Sequence, residues 1–174
     1  GGVIGLLNNQ SANTISGWTN NSSVIGSGNV GGIIGNLQSS AGLTISSTTN
    51  AGRISSNSVD GGAGIGGIIG SLNLASSGSA KTIEIKDNSN TGYIGSNQDN
   101  YVGGTIGYMY GENSAKLTLN IHGNMGSGTV LGIKNVGGIL GGIVFASTSA
   151  DEINIYENAS DAKLTGGLWF ERYY

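Results

Sequence analysis

The sequence predicts an all-β chain wound as a three-sided parallel β-solenoid of about five coils. Three observations carry that expectation. A glycine-pair block recurs every 30 to 37 residues: Gly1-Gly2-Val3-Ile4-Gly5, Gly31-Gly32-Ile33-Ile34-Gly35, Gly66-Gly67-Ile68-Ile69-Gly70, Gly103-Gly104-Thr105-Ile106-Gly107 and Gly137-Gly138-Ile139-Leu140-Gly141. A segment with period-two alternation follows each block. A third apolar position stands nine residues after that segment's central isoleucine (Ile15, Ile45, Ile85, Ile121, Ile155) in all five copies.

The first strand of each coil begins at the block. Three residues after the first glycine of the pair sit Ile4, Ile34, Ile69, Ile106 and Leu140, and six after it sit Leu7, Leu37, Leu72, Met109 and Ile143. Val30, Ile65, Val102 or Val136 precedes the pair. The second glycine (Gly2, Gly32, Gly67, Gly104, Gly138) thus falls between apolar positions at alternating spacing. It reads as a strand site left empty so that another backbone can approach, and as the means of a tight corner. The change from +3 to +6 breaks strict alternation and predicts a bulge or corner.

The second strand is Thr14-Ile15-Ser16, Leu43-Thr44-Ile45-Ser46, Ile83-Glu84-Ile85-Lys86, Leu119-Asn120-Ile121-His122 and Ile153-Asn154-Ile155-Tyr156. Alternation and β-branched content mark it as half-buried. The third strand carries Val24, Ile54, Ile94, Val130 and Leu164. Between the two lies a turn where Asn20, Asn50 and Asn90 share one register and Asn88, Asn124 and Asn158 another. Asn tolerates corner geometry, and stacked Asn can form amide ladders. Insertions fall only between strands one and two and between strand three and the next block, where loops absorb length cheaply.

Two interior rows are expected, Ile34, Ile69, Ile106 and Leu140 in one and Ile45, Ile85, Ile121 and Ile155 in the other. Each coil adds roughly 4.8 Å, so the array is a stub about 24 Å long. The preference of parallel crossovers makes it right-handed. Coils begin near residues 1, 31, 66, 103 and 137, and the repeat region runs over 1–165. Gly166-Gly167-Leu168-Trp169-Phe170 opens like a sixth block and leads into Glu171-Arg172-Tyr173-Tyr174, so 166–174 reads as a capping or docking strand. The chain starts inside a repeat without Met, which suggests a processed piece of a longer polypeptide.

Composition narrows the function classes. The 34 Gly with abundant Ser and Asn would suit a flexible linker, but 37% hydrophobic residues at fixed places argue for a folded domain. A net charge of −3 provides no basic face for nucleic acid or an anionic membrane surface. Absence of Cys removes disulfides, zinc–thiolate sites and thiol catalysis. No apolar run reaches the length that spans a membrane as a helix. Residues 1–80 contain only Arg53 and Asp60 as charges, leaving a polar, nearly uncharged β surface without the usual protection against association.

The Gly-Gly-Ile-Ile-Gly block, the period-two strand and a turn such as Asn90-Thr91-Gly92-Tyr93-Ile94 together resemble the GLUG repeat over nearly the whole chain. Such repeats occur in large secreted and surface-anchored bacterial proteins, adhesins and surface peptidases among them, and in some proteins of unicellular eukaryotes. The longest loops here exceed those of the usual copy. The resemblance implies an extracellular, non-catalytic spacer or adhesive region and supplies no catalytic residues.

Candidate sites are few. Gly26-x-Gly28-x-x-Gly31 and Gly62-x-Gly64-x-x-Gly67 match a dinucleotide fingerprint, but a strand follows where a helix is required, so they read as corners. In the registered repeats Lys86, His122 and Tyr156 stack on adjacent coils, flanked by Asp87 and Glu157. This is the one cluster that could hold an anionic or sugar ligand; a solvated face is the simpler reading. Asp87-Asn88-Ser89-Asn90 and Asn97-Gln98-Asp99-Asn100 are acidic enough for calcium but match no calcium loop. The outward rank Thr14, Thr44, Glu84, Asn120, Asn154 is too irregular for an ice-binding face. Asn20, Asn21 and Asn158 head glycosylation sequons.

The expected function is that of an extracellular structural or adhesive repeat, such as a self-assembling filament or surface-layer subunit. It has no cofactor or metal, and its partners are copies of itself, neighbouring repeats or surface glycans. A carbohydrate-binding or carbohydrate-cleaving β-helix is the alternative.

Overall fold

The computed structural model describes residues 1–57, 63–74, 79–112, 116–146 and 151–166. These form 24 strands, with no helix among the described residues. Each strand pairs in parallel with its counterpart one coil away, giving four sheets of five strands and one of four. The chain is a parallel β-solenoid of five coils.

The second coil shows the pattern. It runs Ile34–Ser39, Leu43–Ser46, Thr49–Asn50, Ile54–Ser56 and Gly64–Gly66. The three expected strands are the first, second and fourth of these. The other two are short ladders at the corners. Two-residue ladders have too little length to show a period, which is why alternation does not reveal them.

Strand register follows the expected rows. Ile4, Ile34, Ile69, Ile106 and Leu140 are consecutive partners, as are Leu7, Leu37, Leu72, Met109 and Ile143. Ile15, Ile45, Ile85, Ile121 and Ile155 form the second row. The two rows face one another across one apolar compartment. Val24, Ile54, Ile94, Val130 and Leu164 form a further column. It packs against Val30, Ile65, Val102 and Val136 in a second, smaller compartment. Full burial stabilises each such side chain by about 1.5–3 kcal/mol. The benefit requires a coil on both sides: Ile85 and Ile121 are fully enclosed, whereas Ile155, on the same row in the fifth coil, is 50% exposed.

The glycine block differs from the sequence reading. Its second glycine lies not inside a strand but at the corner between Val30–Gly31 and Ile34–Ser39. The reason for glycine is close approach across coils. A Cβ on Gly32 would collide with the Gly67 carbonyl oxygen and the Asn50 amide; on Gly67 it would meet the Gly104 carbonyl and the Asn90 amide. Gly2 meets Gly32 and Asn20 in the same way, while Gly104 meets Gly138 and Gly138 meets Ser160. The last glycine of the block has a separate task. A Cβ on Gly70, Gly107 or Gly141 would strike the backbone of Val30, Ile65 or Val102, so the corner ladder lies directly against the start of the long sheet. The pairing skips Gly70 and Gly107, where the broken alternation predicted a bulge.

Both amide ladders form. Asn20 Nδ2 donates to Asn50 Oδ1 and Asn50 Nδ2 to Asn90 Oδ1, each at 2.8 Å. In the other register Thr48 Oγ1 donates to Asn88 Oδ1, Asn88 Nδ2 to Asn124 Oδ1 and Asn124 Nδ2 to Asn158 Oδ1. Gly166, expected to open a sixth block, instead ends the strand Lys163–Gly166 and pairs with Gly132. The rest of the proposed capping strand lies outside the described residues.

Candidate functional site

The outer face of the second sheet carries the predicted cluster. Alternation turns Ile85, Ile121 and Ile155 inward, so Lys86, His122 and Tyr156 project outward, and pairing places them in one column. The His122 and Tyr156 rings stack with centroids 4.8 Å apart and planes 6° from parallel. Lys86 Nζ donates to Glu84 Oε2 at 2.9 Å, and His122 Nε2 lies 3.8 Å from Glu84 Oε1. That hydrogen bond from Lys86 holds the Glu84 carboxyl below its ordinary range and raises the Lys86 ammonium above its own. Glu84 thus belongs to the cluster, although the sequence reading set it in the outward rank only. The signal was present: residues two apart on a strand share a face.

Asp87 and Glu157 have a backbone role. They adopt φ of 55° and 51°, in register with Ser47 at 54°, Gly17 at 72° and Gly123 at 65°. All five coils therefore turn through the left-handed region immediately after the second strand. Asp87 still raises the Lys86 ammonium by its charge, after the larger contribution of Glu84. Beside this column Asn154 Nδ2 donates to Asn120 Oδ1 at 3.0 Å. The arrangement offers a flat mosaic of one ion pair, one amide pair and one stacked ring pair. The ion pair is internally neutralised.

The remaining candidates take structural places. After Gly26-x-Gly28-x-x-Gly31 comes the strand Ile34–Ser39, as a repeat corner requires; Gly62 of the second match lies outside the described residues. Asn88 and Asn90 point into the ladders. Asp99 is 4% exposed, with Oδ2 lacking a partner, and burial pushes its carboxyl up. Among the described residues no three His, Cys, Asp or Glu side chains gather as a metal site. Of the sequons, Asn20 and Asn158 have their amide nitrogens bonded within the fold, and Asn21 is exposed. Among the described residues no helix is long and apolar enough to cross a membrane.

Comparison with protein-family models, with curated proteins and with solved structures finds no match.

Proposed function

We propose that this chain is a structural and adhesive repeat segment working outside the cell, which associates with copies of itself or with adjoining coils. The supporting observation is the surface of the first two coils. On the outer face of their second sheet stand Thr14, Ser16, Thr44 and Ser46, with no charge to oppose a neighbouring sheet. Native sheets ordinarily carry charge where contact must be prevented. The GLUG resemblance agrees with a surface-exposed spacer. Electron microscopy of native material, with light scattering of the purified chain, tests this reading. It requires concentration-dependent association that Thr44→Lys or Ser46→Glu abolishes; a monodisperse monomer at all concentrations rejects it.

The Lys86–His122–Tyr156 column favours a second reading, a carbohydrate-binding domain. Because Glu84 neutralises Lys86, a neutral sugar suits the patch better than an anion. Cleavage has less support: it needs a carboxyl raised in pKa beside an ionised one. Glu84 is lowered, and the raised Asp99 is enclosed elsewhere. Glycan-array binding that survives both His122→Ala and Lys86→Ala would remove this reading.

A further inference from the structure

A different face holds a cluster that no motif announced. Tyr108 and Tyr110 project from the long sheet, and Tyr101 reaches them from the corner ladder. The Tyr101 and Tyr108 ring centroids are 4.5 Å apart, and those of Tyr108 and Tyr110 are 5.4 Å apart with planes 21° from parallel. Rings in contact are separated by roughly 3.5–4 Å, so Tyr108 and Tyr110 are offset sideways by about 4 Å. They are shingled along their common strand, with Tyr108 in contact with both of the other rings and all three half-buried. Gly142 of the fifth coil makes room for them, since a Cβ there would lie 2.7 Å from Tyr101 Cδ1.

Along the solenoid axis Tyr110 continues a column of amides. Asn8, Gln38, Asn73 and Tyr110 are consecutive partners. In contrast to the interior Asn, these amides and the three phenols have no hydrogen bond to another described residue. Neither this column nor the neighbouring one, which holds Ser71 and Tyr108, contains a charged side chain. An amide supplies donors and an acceptor together, which matches a sugar hydroxyl. An aromatic face carries a negative quadrupole that attracts the polarised C–H face of a pyranose.

We propose that this face binds a neutral glycan laid along the solenoid axis, with a pyranose ring on Tyr110, which Tyr108 buttresses from the same strand, and hydroxyls on Asn73 and Gln38. Coils roughly 4.8 Å apart present one side chain per step, close to the advance per sugar in an extended β-linked chain. Toward the earlier coils the rim of the rings is amide, where a protein surface would seek apolar contact; Val144 follows Tyr110 in the fifth coil. The site is separate from the Lys86 column and from self-association, so its failure leaves those readings standing.

The test is electrophoresis of the folded chain through gels containing hydroxyethylcellulose, xyloglucan, galactomannan, xylan, chitosan-free glycol chitin or glycogen, with polygalacturonate as the acidic comparison. At least one neutral polymer should retard the wild-type chain. Tyr108→Ala with Tyr110→Ala should weaken that retention about tenfold, and His122→Ala should leave it unchanged. Should the double variant lose its native circular dichroism, Asn73→Ala with Gln38→Ala must weaken retention severalfold instead. Retention by none of the neutral polymers, retention by polygalacturonate alone, or equal retention of folded variants would overturn the proposal. So would a change of oligomeric state, in place of glycan retention, in the tyrosine variant.

Discussion

Ile45, Ile85 and Ile121 form one column of the second sheet, and Ser46, Lys86 and His122 form the column beside it on the same strands. Both obey one register. The inward column keeps its residue type at every step, while the outward column changes from hydroxyl to amine to imidazole. The difference shows that pairing alone demands little of a side chain. Enclosure between coils demands apolarity and a fixed volume, because each inward residue is also the floor and ceiling of its neighbours. Outward positions are released from that demand and can vary in chemistry.

The sharpest way to break this contrast is to exchange its requirements. Ile69→Asp buries an unpaired charge in a fully enclosed row and should cost several kcal/mol, enough to abolish cooperative melting. Thr44→Asp, outward on a paired strand, should change stability by no more than about 0.5 kcal/mol. A folded Ile69→Asp chain with unchanged melting would refute the row.

The contrast extends to polar residues. Asn50→Ala leaves Asn20 Nδ2 and Asn90 Oδ1 without their ladder partner. It should lower stability in urea unfolding by about 2–3 kcal/mol. Asn73→Ala, the same deletion on the outer face, should cost about 0.5 kcal/mol or less. Equal losses would mean that the ladder contributes nothing special.

Asp99 sharpens the comparison through pH. Burial raises its carboxyl above the ordinary value, so the folded state favours the protonated form. Its stabilising contribution is complete below the ordinary carboxylate pKa of the unfolded chain and is lost as pH rises through the raised folded value. Asp99→Asn should flatten that slope and melt higher than wild type above this window. A melting profile against pH that is identical in the two chains would contradict it. A modest effect of opposite sign belongs to the left-handed corner, where Ser47→Gly should stabilise by roughly 0.5–1 kcal/mol in urea unfolding.

Much of the fold was legible because a repeat states each requirement five times. The rows through Ile34 and Ile45, the third-strand column and the asparagine registers all follow from aligned positions. What escaped depends on contacts between different parts of the coil. The second glycine reads as a strand residue until the Gly67 carbonyl and Asn50 amide are seen converging on Gly32. Thr48 heads a ladder of asparagines, yet its type gives no sign of it. Tyr101 stands on another strand from Tyr108, and they meet only because the glycine-lined corner folds one ladder onto the next sheet. The Lys86 column was readable from register, while its Glu84 partner needed the alternation applied across the strand rather than along the column.

The interior ladders also carry a direction. From Asn20 to Asn50 to Asn90, and from Thr48 through Asn88 and Asn124 to Asn158, each side-chain donor faces the following coil and each acceptor the preceding one. Amide dipoles aligned in this way add, and each polarises the next, much as peptide units do along a helix. The solenoid is therefore electrically polar along its length, with a positive sense toward the later coils. A coil joined to this axis continues the array only when it points the same way; one joined in reverse brings like poles together.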